Sequence, residues 1–365
     1  MLDPVIAFFQ RVVSVIGRGV RMGVAAILWP FVTMAGWYRQ RGFILKAAAG
    51  GLLLLFVSLY GYFFWQSQIW AGFDPDYALA YDTEGPAPGT EIAPGQCAPS
   101  RMVTATADLI DYNINENAWI SSMVLYKAGL FGLDWDNTPF FDNKASFQRG
   151  VNQAIRRTTV EFVDTLGRVR GTSQVDGNLQ DARGNLQFDE FSWYFGLDPF
   201  GLKTPTPAYY RTAINDLGIF NTKLSNCTAI FDTRADNLIQ FLDRIASDIG
   251  STSAILRDRS ENFNAGWFDT RADDRFWFAY GQLYGYFGVL KAAHGDFREV
   301  IVQRNLGQLW DSTEEQLSAA LRIQPMIISN GNESGWIMPT HLATMGFYVL
   351  RFRSNLVEMR AILDR

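Results

Sequence analysis

The chain has 365 residues, of which 48% are hydrophobic, 15% aromatic and 19% charged, and it carries a net charge of −5. This composition excludes a disordered chain, which needs low hydrophobicity and high net charge, and the acidic balance argues against a nucleic-acid partner. Two cysteines and two histidines exclude a disulfide-stapled scaffold and a cysteine-rich zinc module, and leave little for a histidine metal centre.

The charge is unevenly spread. Before Ala47 the basic residues Arg11, Arg18, Arg21, Arg39, Arg41 and Lys46 face a single acid, Asp3, so residues 1–46 carry +5 and the remainder −10. Val5, Phe8, Phe9, Val12, Val13, Ile16 and Val20 recur at three- and four-residue spacing among these arginines, the pattern of a basic amphipathic helix lying at a membrane surface or against partner helices. Gly23–Tyr38 is apolar, but its 16 residues are interrupted by Pro30, which suits an interfacial or re-entrant segment better than a full span.

Residues 47–65, AAAGGLLLLFVSLYGYFFW, hold no charge. As a helix they extend roughly 28 Å, close to the hydrocarbon thickness of a bilayer. Leu52 and Leu55 face lipid in this reading, and Tyr60, Phe64 and Trp65 begin an aromatic belt at headgroup level. The run starts too far from the N-terminus, and lacks the small-residue cleavage site, for a signal peptide. The positive-inside rule places residues 1–46 in the cytoplasm and the acidic body across the membrane, as a single-pass protein. Were residues 23–38 also to span, the body would still emerge on that far side.

Residues 66–100 read as a linker, with Pro86, Pro88, Pro94 and Pro99 making 82–100 an extended spacer. The body, 101–365, is predicted to be mainly helical. Helices are expected over 104–117, 144–166, 232–256 (with Asp232 as N-cap), 275–293 and 310–323, and a last one opening at Pro339. Between Arg168 and Phe188 the pairs Asp176-Gly177 and Arg183-Gly184 suggest a β-ribbon. Residues 276–290 are uncharged but only 15 long, so they are assigned to a buried central helix rather than a second span, with Gly281, Gly285 and Gly288 lining one side. The expected architecture is mainly α: an amphipathic helix, one transmembrane helix and an all-α bundle with a small hairpin.

Few residues suggest chemistry. Residues 130–143, LFGLDWDNTPFFDN, set Asp134, Asp136 and Asp142 among aromatic rings, as carbohydrate sites do, although a compact turn accounts for the same residues. Glu333 lies in a Gly- and Asn-rich loop that suits a general acid only weakly. The stretch from Asp176 to Asp181 fails the EF-hand pattern, since Asp181 stands where glycine is required and Gln187 where glutamate is. No nucleotide, dinucleotide, hydrolase or zinc-protease signature is present, so no cofactor or metal is expected. Cys97 and Cys227 both lie beyond the span, leaving either a linker-to-body disulfide or two unpaired thiols.

The basic start, the span, the Pro-rich spacer and the helical body with DWDNTPFFDNKASFQRGVNQAIRR together resemble a bacterial domain-of-unknown-function family of membrane-anchored envelope proteins. The resemblance covers most of the chain and is most distinctive from Asp134 to Arg157. It implies a bacterial inner-membrane protein with a periplasmic body, and it supplies no catalytic residues. Two functional classes are expected. The first is a non-enzymatic scaffold or accessory subunit of an inner-membrane complex, contacting the bilayer and other envelope proteins or a second copy of itself. The alternative is a periplasmic glycan-binding or glycan-cleaving protein using Asp134, Asp136 or Glu333.

Overall fold

The computed structural model describes residues 3–138, 140–168, 175–197, 200–332, 334–335 and 338–365. Its elements in chain order are α1 (Asp3–Arg39), α2 (Phe43–Gln68), β1 (Glu91–Ala93), β2 (Gln96–Cys97), α3 (Arg101–Asp111), α4 (Val124–Ala128), α5 (Asn143–Glu161), α6 (Gly177–Leu186), β3 (Phe195–Leu197), β4 (Phe200–Leu202), α7 (Thr206–Ser225), α8 (Ala235–Asn262), α9 (Ala272–Asp296), α10 (Arg298–Gln303), α11 (Gly307–Leu321) and α12 (His341–Leu363). The chain is mainly α, and each of the two sheets among the described residues is a two-stranded antiparallel hairpin. It divides into two units, residues 1–62 and 63–365.

In the first unit α1 continues through Pro30, which does not interrupt it. Proline removes one ladder hydrogen bond, a loss that helices in apolar surroundings tolerate. The stretch Gly17–Arg39 and the helix Phe43–Gln68 are both long and apolar enough to cross a membrane. The expected 16-residue segment interrupted by Pro30 therefore gives way to a 23-residue helical stretch. At the turn between the helices, the Tyr38 hydroxyl donates to the carbonyl of Lys46 at 3.1 Å, and the Arg41 guanidinium lies 4.9 Å over the Trp37 ring.

The second unit is built around α9. Nearly every residue from Ala272 to Ala293 is buried, including Phe276, Tyr280, Tyr284 and Tyr286. The uncharged run 276–290 is thus the central helix of the bundle. Its most extensive partner is α5, and α3, α8, α11 and α12 complete its surroundings, while α6 with α7 and α8 with α12 form further pairs. Glycines set the closeness of the α5–α9 crossing: a Cβ on Gly281 would collide with the backbone of Phe147, and one on Gly150 with the backbone of Phe278.

Four expectations need correction. Residues 66–100 do not form an extended spacer. Trp70 packs on Phe147 at 4.9 Å, Tyr77 stacks on Tyr284, and Pro94-Gly95 turns the β1–β2 hairpin, with Gly95 at φ +73°. Prolines confined to a turn and its flanks leave room for a short ladder. The stretch 177–186 is helix α6, not a ribbon, because Asp176 caps it by accepting from the backbone N–H groups of Asn178 and Leu179. The hairpin lies further on, at β3–β4. Asp232 precedes α8 by three residues and accepts from the Arg234 backbone instead of capping the helix, and α12 opens after Thr340, whose hydroxyl accepts from the Ala343 N–H.

Candidate functional site

The segments 130–138 and 140–143 bring two of their three aspartates, Asp136 and Asp142, inward. Trp135 is fully buried, its indole N–H donates to the Leu125 carbonyl at 2.8 Å, and its ring meets Phe63 at 4.8 Å and Phe141 at 5.9 Å. This anchors the single helical turn that carries Asp136. Asp142 immediately precedes α5 but does not cap it with its side chain. Its neighbour Lys144, 2% exposed, donates to the carbonyls of Gln66 and Ile69 at 2.9 and 2.6 Å and so closes the C-terminal end of α2. Burial lowers that ammonium to about 8.

Asp274, in the first turn of α9, completes the group. Asp136, Asp142 and Asp274 each place a carboxylate oxygen within 4.8 Å of the other two. Tyr126 donates to Asp136 at 3.3 Å, Ser146 to Asp274 at 2.8 Å, and Arg149 to Ser146 at 2.9 Å. Asp142 is fully buried, and neither of its oxygens has a donor outside the cluster. Burial pushes the Asp142 carboxyl far above the usual carboxylate range, and the charge of Asp274 adds to the effect. Asp274 is also raised, chiefly by burial, while Ser146 and Arg149 pull it back. The adjacent Asp273 is raised to about 8 by burial and by Asp274. A cavity of about 310 Å³ reaches Asp136 and Asp274 and is walled by Arg149, Arg156, Glu190, Phe191, Arg271 and Arg275. The Arg156–Glu190 ion pair, at 2.9 Å, braces one wall.

The sequence-predicted residues are dispersed. Asp136 joins the cluster, Asp134 stays exposed outside it, and Glu333 lies outside the described residues. Leu52, Leu55 and Trp65 are exposed on α2, Tyr60 is half-buried, and Phe64 packs on Phe141 at 4.7 Å. Asp176, besides capping α6, pairs with Lys223 at 2.8 Å. Cys97 and Cys227 are joined by a disulfide that ties β2 to the turn after α7. A second acidic group, His294, Asp311 and Glu314, is already charge-compensated, since Lys291 donates to Glu314 at 2.7 Å. Asp274 was missed by sequence reasoning; the Asp-Asp pair that opens α9 signals only a helix N-terminus.

A family profile described as an uncharacterized protein conserved in bacteria, DUF2333, matches residues 104–265 and 258–365. The chain belongs to the DUF2333 family. The matched region contains every residue of the acidic cluster, whereas α1, α2 and the β1–β2 hairpin precede it. No curated protein and no solved structure matches this DUF2333 chain.

Proposed function

We propose that this DUF2333 protein is a membrane-anchored, non-enzymatic scaffold or accessory subunit of a bacterial inner-membrane complex, whose helical body lies in the periplasm and makes protein–protein contacts. The observation that carries this reading is α1. One helix of the length of α2 suffices to anchor a domain, yet α1 adds a further apolar stretch on which Ile27, Trp29 and Phe31 are about two-thirds exposed. Such surface is covered by lipid or by partner helices. Arg39 and Arg41 at the α1–α2 turn favour the cytoplasmic side for that turn. The Cys97–Cys227 disulfide supports an oxidising compartment for the body.

The glycan-acting alternative has less support. Asp136 sits with oxygens of Asp142 and Asp274 within 4.8 Å. Of the other acids it invokes, Asp134 is exposed outside that cluster and Glu333 lies outside the described residues.

Extraction of the native protein in mild detergent tests the proposal. The expected result is a stable complex with another envelope protein or with further copies of the chain. Deleting residues 1–38 releases that partner while α2 keeps the body on the membrane. A chain that emerges alone and monomeric refutes the scaffold reading.

A further inference from the structure

Two segments far apart in the chain converge on one point: the turn that runs from Trp135 to the residue before α5, and the first turn of α9. We propose that Asp136, Asp142 and Asp274 form a binding site for a hard divalent cation of the calcium or magnesium class. The inference does not depend on the scaffold reading.

Geometry comes first. Ligand oxygens lie about 2.4 Å from a bound calcium ion, so two on opposite sides of it stand about 4.8 Å apart. The three carboxylate oxygens fall within 4.8 Å of one another, the closeness that one shared ion requires. All the donors are oxygens, the preference of hard cations.

The second observation is Asp142. Two other buried carboxylates in this unit are fully engaged: Asp296 accepts from Ser100, Arg101 and Met102, and Asp248 from Gln153, Gln282 and Tyr286. Asp142 is 0% exposed, neither of its oxygens has a donor outside the cluster, and it faces the other two carboxylates, with Asp274 close enough to share a proton with it. A buried carboxylate without hydrogen bonds is costly unless a proton or a cation neutralises it. Asp273, whose two oxygens are also unpartnered, adds a further acid beside Asp274.

The surroundings fit as well. Tyr126 and Ser146 each hold one oxygen of Asp136 and Asp274, as the outer partners of metal-bound carboxylates do, and Arg149 in turn fixes Ser146. The cavity that reaches Asp136 and Asp274 supplies an entry path.

The test uses the full-length chain in detergent, stripped with EDTA and titrated with calcium, magnesium or manganese chloride by calorimetry and by thermal unfolding. The expected result is saturable binding of one ion per chain. At an ion concentration about 100 times Kd the melting temperature rises by several degrees. Asp142→Asn preserves side-chain size and weakens the binding at least tenfold, while its metal-free form melts no lower than the metal-free parent, because a neutral amide needs no counter-ion. Asp274→Asn is the second variant, with the same expected loss should the first not fold. If none of the three ions binds or shifts the melting temperature, the proposal is overturned, and the cluster is held by a shared proton instead. Unchanged affinity in a folded variant overturns it equally.

Discussion

Tyr77 and Tyr284 stack with ring centroids 4.2 Å apart, and the Tyr77 hydroxyl donates to the Tyr284 backbone carbonyl at 2.6 Å while accepting from the Gly288 N–H at 3.0 Å. One side chain from the segment after α2 is thereby fastened to the buried face of α9 at two backbone groups. Tyr77→Phe keeps the stack and removes both hydrogen bonds. It is expected to cost about 1–3 kcal/mol, because two buried hydrogen bonds are lost together. Urea unfolding of variant and parent measures the difference, and an unchanged midpoint contradicts the assignment.

The crossing of α5 and α9 makes a second prediction. Gly281→Ala drives a methyl group into the Phe147 backbone, which cannot rotate away. Overpacking of this kind costs about 1–3 kcal/mol or more. Gly184→Ala, on the exposed face of α6 with open space around it, is the control and is expected to be neutral or stabilising by up to about 1 kcal/mol. Melting temperatures of the two variants should therefore move in opposite directions or differ widely.

His341 gives a pH dependence. Its Nδ1 accepts from the Ser329 N–H at 2.9 Å, a role open only to an unprotonated nitrogen, and burial lowers its pKa below the ordinary value near 6.5. The folded state thus binds fewer protons than the unfolded chain between those two values. The His341 contribution is complete above about pH 6.5 and is lost as the pH falls through the lowered folded value. His341→Asn offers an amide oxygen in place of Nδ1 and does not titrate. Melting curves from pH 8 to 5 should fall less steeply for the variant than for the parent; parallel curves would show that His341 is not the responsible group.

The disulfide joins cysteines 130 residues apart. Cross-links closing loops of this size typically stabilise by about 2–4 kcal/mol, mainly by restricting the unfolded chain. The double substitution Cys97→Ser and Cys227→Ser, or reduction of the parent, should lower the denaturation midpoint accordingly. A thiol titration of the unreduced, unfolded protein that finds two free groups would contradict the bond.

Much of the fold could be read in advance where periodicity was strong. The apolar repeat Leu238, Leu242, Ile245 and Ile249 located α8, and the uncharged run 276–290 located the central helix. Helix α7 escaped although Tyr210, Ala213, Leu217, Phe220 and Leu224 bury one face, because Gly218, Asn215 and Thr212 dilute the repeat. Asp-Gly at 176–177 misled because the same pair serves a hairpin turn and a helix N-cap, and only the periodicity of the residues beyond it separates the two. The acidic cluster was half legible. Asp136 and Asp142 are visible beside the aromatic residues of 130–143, but Asp274 lies more than 130 residues further on and meets them only after α5 crosses α9.

The bond between Cys97 and Cys227 also turns 131 residues into a covalent ring that includes α3 to α7 and the β3–β4 hairpin. On that hairpin Phe200 and Leu202 are 80% and 90% exposed, an accessible place for a protease to cut. A single cut there opens the ring without dividing the molecule. Helices α1 and α2 stay covalently linked to α12 through the disulfide, and the nicked protein does not shed its C-terminal half.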